Sequence, residues 1–186
     1  NARKVKYLSK ANKSNKAIKY RLYPNDEQKV MFAKTFGCCR FVYNQLLALQ
    51  KQRYKDGESH LSKLKSNEFA TRTLKKDYDF LKEIDKFAVS NAVFHLADAY
   101  DRFFKKQNHF PKFKSKRKSK KSYTTNFTNN NILIGKNVIK LPKVGMVKAV
   151  IHKLPKDDWK LKSVTVSQDS VGNYFASVLF EYEQED

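Results

Sequence analysis

Acids, imidazoles and thiols are the side chains here that could carry bond chemistry, and their spacing argues against it. Carboxylates stand in close pairs at Asp77 with Asp79, Asp98 with Asp101, Asp157 with Asp158 and Glu181 with Glu183. Two-metal hydrolysis needs carboxylates that converge on one site, with the metals about 4 Å apart. These pairs fall on turns, on a helix face and at a strand end, each near lysines, and read as solvated counter-charges. His60, His95, His109 and His152 are isolated, and no glycine-rich phosphate loop or nucleophile motif occurs. Cys38 and Cys39 are adjacent in a helical pattern, where neighbours point about 100° apart. They read as buried structural thiols of a reducing compartment and as neither a disulfide framework nor a zinc knuckle.

What the sequence has in excess is positive charge. Its 39 basic and 18 acidic residues give a net charge of +21 over 186 residues, which points to a polyanionic partner. The charge is densest at Lys112, Lys114, Lys116, Arg117, Lys118, Lys120 and Lys121, interrupted only by Phe113, Ser115 and Ser119. Such a run repels itself and is expected to hold a shape only against a polyanion, of which nucleic acid phosphate is the obvious one. Directly downstream, Tyr123, Thr125, Phe127, Thr128 and Asn129 supply stacking faces and short donors and acceptors suited to bases. A membrane surface is disfavoured, because no long apolar run, signal-peptide core or lipid-lying basic helix occurs. Forty per cent hydrophobic residues, with 14 Phe and 10 Tyr, are enough for a packed core.

The elements that must position these residues follow from periodicity. Residues 1–16 are lysine-rich without period and are expected to be a flexible leader. Ala17 to Tyr23 alternates apolar and basic side chains as a half-buried strand ended by Pro24, and Asn25 with Gln28 forms a capping box. A first helix places Phe32, Phe36, Cys39, Tyr43, Leu46 and Leu47 on one face and stops at Asp56-Gly57. A weaker second helix, about Ser59 to Tyr78, carries Leu61, Leu64, Phe69 and Leu74. A third, about Asp85 to Gln107, carries Val89, Val93, Leu96, Tyr100 and Phe103. The period then changes to two, giving a hairpin over 131–141 and strands at Val147 to His152, Leu161 to Ser167 and Tyr174 to Tyr182. A first strand without a neighbour must pair into the later sheet, so the fold expected is α+β: a small antiparallel β-barrel with three helices inserted after its first strand.

Several of these stretches resemble the TnpB (OrfB) family of bacterial insertion sequences. They are Tyr20-Arg21-Leu22-Tyr23-Pro24 with Gln28, Phe36-Gly37-Cys38-Cys39-Arg40-Phe41-Val42-Tyr43-Asn44, Asp85-Lys86-Phe87-Ala88, Phe110-Pro111-Lys112-Phe113-Lys114, Phe127-Thr128-Asn129-Asn130-Asn131 and Lys140-Leu141-Pro142-Lys143, in the family's order. The resemblance implies an RNA-guided DNA endonuclease related to type V CRISPR effectors, bacterial or archaeal, cytoplasmic and nucleoid-associated. Its partners would be a guide RNA from the transposon end, double-stranded target DNA and a RuvC nuclease half. Residues 17–24 and 126–186 would form an OB-like wedge barrel, 25–108 a helical recognition lobe and 109–125 a basic linker. The RuvC acids and zinc ribbon of the family are not in this stretch, so it is expected to cut nothing and to hold no cofactor, magnesium and zinc belonging to the C-terminal half. A short transposon-adjacent duplex motif would be read by Lys63, Lys86, Phe87, Ser90, Tyr123, Thr125, Phe127, Thr128 and Asn129, with Arg21, Arg40 and Arg53 joining the linker cations on phosphate. Phe87 as core and Thr128 as a strand cap are the bland alternatives, and Asn44 is open between gripping RNA and an internal bond. A nuclease-free DNA- or RNA-binding regulator derived from the same family is the second functional class.

Overall fold

The computed structural model describes residues 12–184. The chain runs β1 (Lys13–Tyr23), α1 (Asp26–Lys55), α2 (Lys63–Glu68), a π-helical stretch (Phe69–Leu74), α3 (Lys75–Asp77), a 3-10 turn (Asp79–Glu83), α4 (Lys86–Phe104), and then β2 (Lys121–Asn126), β3 (Leu133–Ile134), β4 (Val138–Leu141), β5 (Gly145–Val150), β6 (Lys160–Gln168) and β7 (Tyr174–Glu183). β1 starts at Lys13, four residues before the expected strand, because Lys13 to Lys16 find ladder partners in Phe180 to Glu183. The remainder of the expected leader, 1–11, lies outside the described residues.

β1 is the keystone. It pairs antiparallel with β7 along ten residues, from Lys13 opposite Glu183 to Leu22 opposite Tyr174. Its last turn, Arg21 to Tyr23, also pairs with Val150 to Lys148 of β5. The first strand is thus satisfied by the last third of the chain, and the helices interrupt the sheet as expected. The barrel does not form: the seven strands run β2-β6-β7-β1-β5-β4-β3 in an open antiparallel sheet. β2 was not anticipated. Its inward positions are Tyr123 and Thr125 beside a lysine run, so only one large apolar residue marks its period.

α1 begins as its sequence dictates. The Asn25 side chain accepts from the Gln28 amide at 2.9 Å and the Gln28 side chain accepts from the Asn25 amide at 3.0 Å. Gln28 Nε2 also donates to the Met146 carbonyl at 2.8 Å, tying the helix start to β5. The apolar face of α1 then lies on the sheet: Phe32, 0% exposed, packs its ring at a tilt, 5.5 Å from Tyr174 and 6.2 Å from Tyr123. Burying such a side chain stabilises by about 1.5–3 kcal/mol relative to exposure. Val89, Val93, Leu96 and Tyr100 of α4 join one continuous core with the inner sheet residues Ile18, Tyr20, Leu22, Val178 and Phe180. The second helical region is shorter than its pattern suggested, and Leu64, expected on its apolar side, is 70% exposed while Ala70 and Leu74 pack inward. Tyr23, at the end of the half-buried strand, is 48% exposed under the Arg21 guanidinium.

Candidate nucleic-acid interface

The lysine-rich linker is held by protein groups and not by charge neutralisation. Asn44 on α1 reaches its backbone twice, donating from Nδ2 to the Lys114 carbonyl and accepting at Oδ1 from the Lys114 amide, both at 2.8 Å. That resolves Asn44 as an internal clamp. Pro111 is buried and Phe110 packs edge-on against Tyr100 and Phe103 at 5.5 and 5.1 Å. Beyond the clamp, a tight turn is closed by the Ser115 carbonyl accepting from the Ser119 amide at 3.0 Å, with the Ser115 hydroxyl accepting from the Lys118 amide at 3.1 Å. Lys114 lies with Nζ 4.1 Å from the Tyr43 ring centre, and burial lowers its ammonium pKa.

The clamp creates a cleft. Arg40 and Tyr43 from α1, His95 from α4, and Lys114, Lys120 and Lys121 from the linker and β2 line a space of about 40 Å³. Cations from three segments therefore surround one opening. Burial and the Lys114 charge both lower the His95 pKa, leaving the imidazole neutral and free to accept or donate. Cys39 also borders the cleft; burial pushes its thiol up to about 12, which makes it inert there, and its Sγ donates to the Ala88 carbonyl.

Of the ten basic residues expected on phosphate, Arg53 alone has an acidic partner among the described residues, Glu58 at 2.7 Å, and it also donates to the Ser59 carbonyl. Arg53 is thus a helix-end structural residue. Arg21 donates to Asn173 Oδ1 at 2.8 Å and lies over Tyr23 and Phe175 on the outer face of the sheet, away from the cleft residues in sequence and strand. Lys112, Lys116, Arg117 and Lys118 are exposed along the linker.

The residues expected to meet bases divide in two. Tyr123 is 3% exposed, with its ring 5.8 Å from Phe36, and Thr125 is 0% exposed; inward strand positions make both core, so neither faces a ligand. The others fall on one surface. Lys86, Phe87 and Ser90 occupy the first turns of α4, with Phe87 and Ser90 half-buried and Lys86 exposed, its Nζ 5.3 Å from the Phe87 ring. Asn91, one turn beyond Phe87, donates to the Thr124 carbonyl at 2.8 Å and to Asn126 Oδ1 at 3.2 Å, which fixes the helix beside the turn that follows β2. In that turn Phe127, Thr128 and Asn129 are exposed, and Asn129 and Asn130 adopt φ of 47° and 56°, the left-handed region that asparagine tolerates best among residues with a side chain. Asn131 closes it, accepting from the Thr128 amide at 2.9 Å and donating to the Asn126 carbonyl at 2.9 Å. Lys63 on α2 places Nζ 4.5 Å from the ring of Phe94, on the same α4 stripe as Phe87 and Asn91. Asn91 and Phe94 were not singled out from sequence, since an amide and a phenyl at helical spacing carry no signal until the neighbouring strand is known.

Asp85 anchors this surface. It is 4% exposed, caps α4 by accepting from the Phe87 amide at 3.0 Å, and has its pKa raised, first by burial and against the Thr125 hydroxyl that lies alongside. Its second oxygen makes no hydrogen bond of standard geometry. Among the described residues no group of three His, Cys, Asp or Glu is arranged to hold a metal ion, and no helix is long and apolar enough to cross a membrane.

Fold and surface together define a strongly basic α/β scaffold in which an open antiparallel sheet carries one helical insertion and a clamped cationic loop. The OrfB family of the IS605 type, described as a helix-turn-helix domain, matches residues 14–59. A candidate RNA-guided DNA endonuclease of Streptomyces pristinaespiralis is 31% identical over 168 residues, covering 89% of this chain and 41% of that protein. The candidate RNA-guided DNA endonuclease InsQ of Escherichia coli strain K12 is 30% identical over 174 residues, 90% of this chain and 40% of that protein. Virulence protein VsdF of Salmonella dublin is 32% identical over 111 residues, 54% of this chain and 93% of that protein. The chain belongs to the TnpB (OrfB) family of insertion-sequence proteins. It spans about two fifths of the length of the two endonuclease relatives. Within residues 14–59 the structure has β1 and a single uninterrupted α1, so the name of the matched domain does not describe two helices joined by a turn here.

Proposed function

We propose that this chain is the nucleic-acid-binding part of an RNA-guided DNA endonuclease, in which the sheet and its helical insertion act as wedge and recognition lobe. In this reading the cleft of Arg40, Lys114, Lys120 and Lys121 and the exposed linker cations grip phosphates of guide RNA and of the duplex it forms with target DNA. The α4 stripe of Lys86, Phe87 and Ser90, with Lys63 at its far end and the turn of Phe127, Thr128 and Asn129 beside it, meets a short transposon-adjacent duplex motif. Base pairing supplies target choice, and the protein supplies grip and a place to begin unwinding.

The observation that carries the reading is the pairing of a rigid cationic cleft with a polar, half-exposed stripe in a family whose relatives are candidate RNA-guided endonucleases. Phosphate contacts alone would not need the second surface. Purification of the chain from its host, followed by sequencing of the nucleic acid bound to it, tests this directly. Enrichment of one defined RNA from an element end is the expected result, and a random RNA profile would remove guide binding.

VsdF favours a second reading. A protein matched over 93% of its own length by this region suggests that the region serves by itself as a nuclease-free nucleic-acid binder. In that case the chain would bind duplex without enriching any guide.

A further inference from the structure

Where the end of α1, the 57–62 connection, the end of α4 and the start of the linker meet, the protein exposes aromatic rings, most of them outside its core. A hollow of about 660 Å³ opens there between Tyr54, His60, Tyr100, Phe103, Phe104 and Phe110. Tyr54 is 86% exposed, Phe104 58% and Phe110 40%. Edge-on contacts lock the cluster: His60 to Phe104 at 5.4 Å and 89°, and Phe103 to Phe110 at 5.1 Å and 85°. Beyond Phe110 lies a second hollow of about 540 Å³ bordered by Phe113, itself 52% exposed, and Lys112. Lys51 stands between the two, its Nζ 5.6 Å from the Phe110 ring and 4.5 Å from the Phe113 ring. Lys55 lies on the rim, and the rim acid Glu58 is neutralised by Arg53.

Exposed aromatic patches of this kind mark binding surfaces. A second copy of the chain is a poor occupant, because each copy brings a net charge of +21 and would set lysine rims against one another. The order aromatic hollow, ammonium, aromatic hollow matches the order base, phosphate, base along an unpaired strand. We propose that these two hollows bind successive nucleotides of a single-stranded nucleic acid, with bases stacked on Tyr54, Phe104 and Phe113 and the intervening phosphate on Lys51. The proposal rests on the chain being a nucleic-acid binder and adds a site selective for unpaired strand.

The test uses the chain with a single-stranded oligodeoxynucleotide of about ten residues, carrying one 2-aminopurine, and a duplex of equal length measured in parallel. Stacking quenches the fluorophore. With Tyr54→Ala plus Phe104→Ala, single-strand affinity is expected to fall between about 5- and 150-fold and quenching to be lost, while duplex affinity stays within about twofold. Tyr54→Phe plus Phe104→Tyr is expected to retain both, separating stacking from loss of fold. Unchanged single-strand binding in the alanine variant, or no quenching with the parent chain while duplex still binds, overturns the inference. A concentration-dependent dimer that dissolves in the alanine variant with single-strand affinity intact also overturns it, by assigning the hollows to self-association. Failure to bind either strand form defeats the wider reading and this one together, and is recognised by the loss of duplex.

Discussion

The cationic cleft and the α4 stripe are built in opposite ways. In the cleft, charge arrives from three segments and the rigidity comes from one amide, Asn44, holding the linker backbone through two bonds of 2.8 Å. On the stripe, charge is sparse and order comes from a capped helix start, the Asn91 bridge and a left-handed asparagine turn. A surface that needs only phosphate can consist of mobile, exposed lysines; one that discriminates base edges needs its side chains, long or short, held on pinned backbone. On the proposed function this difference corresponds to grip at the cleft and reading at the stripe.

The largest effect that sharpens this division is on Tyr123. As a core residue packed on Phe32 and Phe36, its replacement by alanine should cost about 3–5 kcal/mol of stability in denaturant unfolding. A variant of full stability with weakened binding would instead return Tyr123 to the base-contacting set. Next comes the cleft: Arg40→Ala, Lys120→Ala and Lys121→Ala together should lower the slope of log affinity against log salt by about three and weaken all duplex sequences alike. A slope unchanged from the parent would mean that these cations do not meet phosphate.

The smallest expected effect concerns Asp85. Its folded pKa is raised above the ordinary 3.8, so the folded state favours the protonated form. Stability from this group is therefore fully present below the unfolded value and lost as pH rises through the folded one. Asp85→Asn keeps the cap and removes that loss, so the variant should gain on the parent as pH climbs from about 3 toward neutrality. A constant difference across the range would mean that Asp85 is not the titrating group.

Much of the scaffold was legible because its signals are local. The Asn25 and Gln28 box, the apolar face of Phe32 to Leu47 and the alternation in β1 and β7 each lie within a few turns or residues, and each forms as its spacing dictates. What was illegible depended on distant partners. Nothing near Lys114 announces that Asn44, 70 residues earlier, holds it, so the linker looked self-repelling and free. β2 was hidden because Thr125 takes an inward position where a pattern reader expects a larger side chain. Closure of the sheet was inferred from the first strand's need for partners, which β7 and β5 satisfy without a barrel, and edge strands as short as Leu133–Ile134 leave the sheet open. On the candidate surfaces, the family resemblance pointed to Lys86, Phe87, Thr128 and Asn129, which lie at the surface, but it could not tell an exposed aromatic from Tyr123, whose neighbours come from α1.

Selection from a library of randomised duplexes, performed with the chain and its co-purified RNA, tests the central division between gripping and reading most directly. The parent should enrich one short motif; Lys86→Ala or Thr128→Ala should abolish that enrichment at a cost of about 1–3 kcal/mol on the motif alone, and the triple cleft variant should keep the motif while binding every sequence more weakly. Equal losses on motif and scrambled duplex in the Lys86 and Thr128 variants would contradict the account, because both surfaces would then contact nothing but backbone.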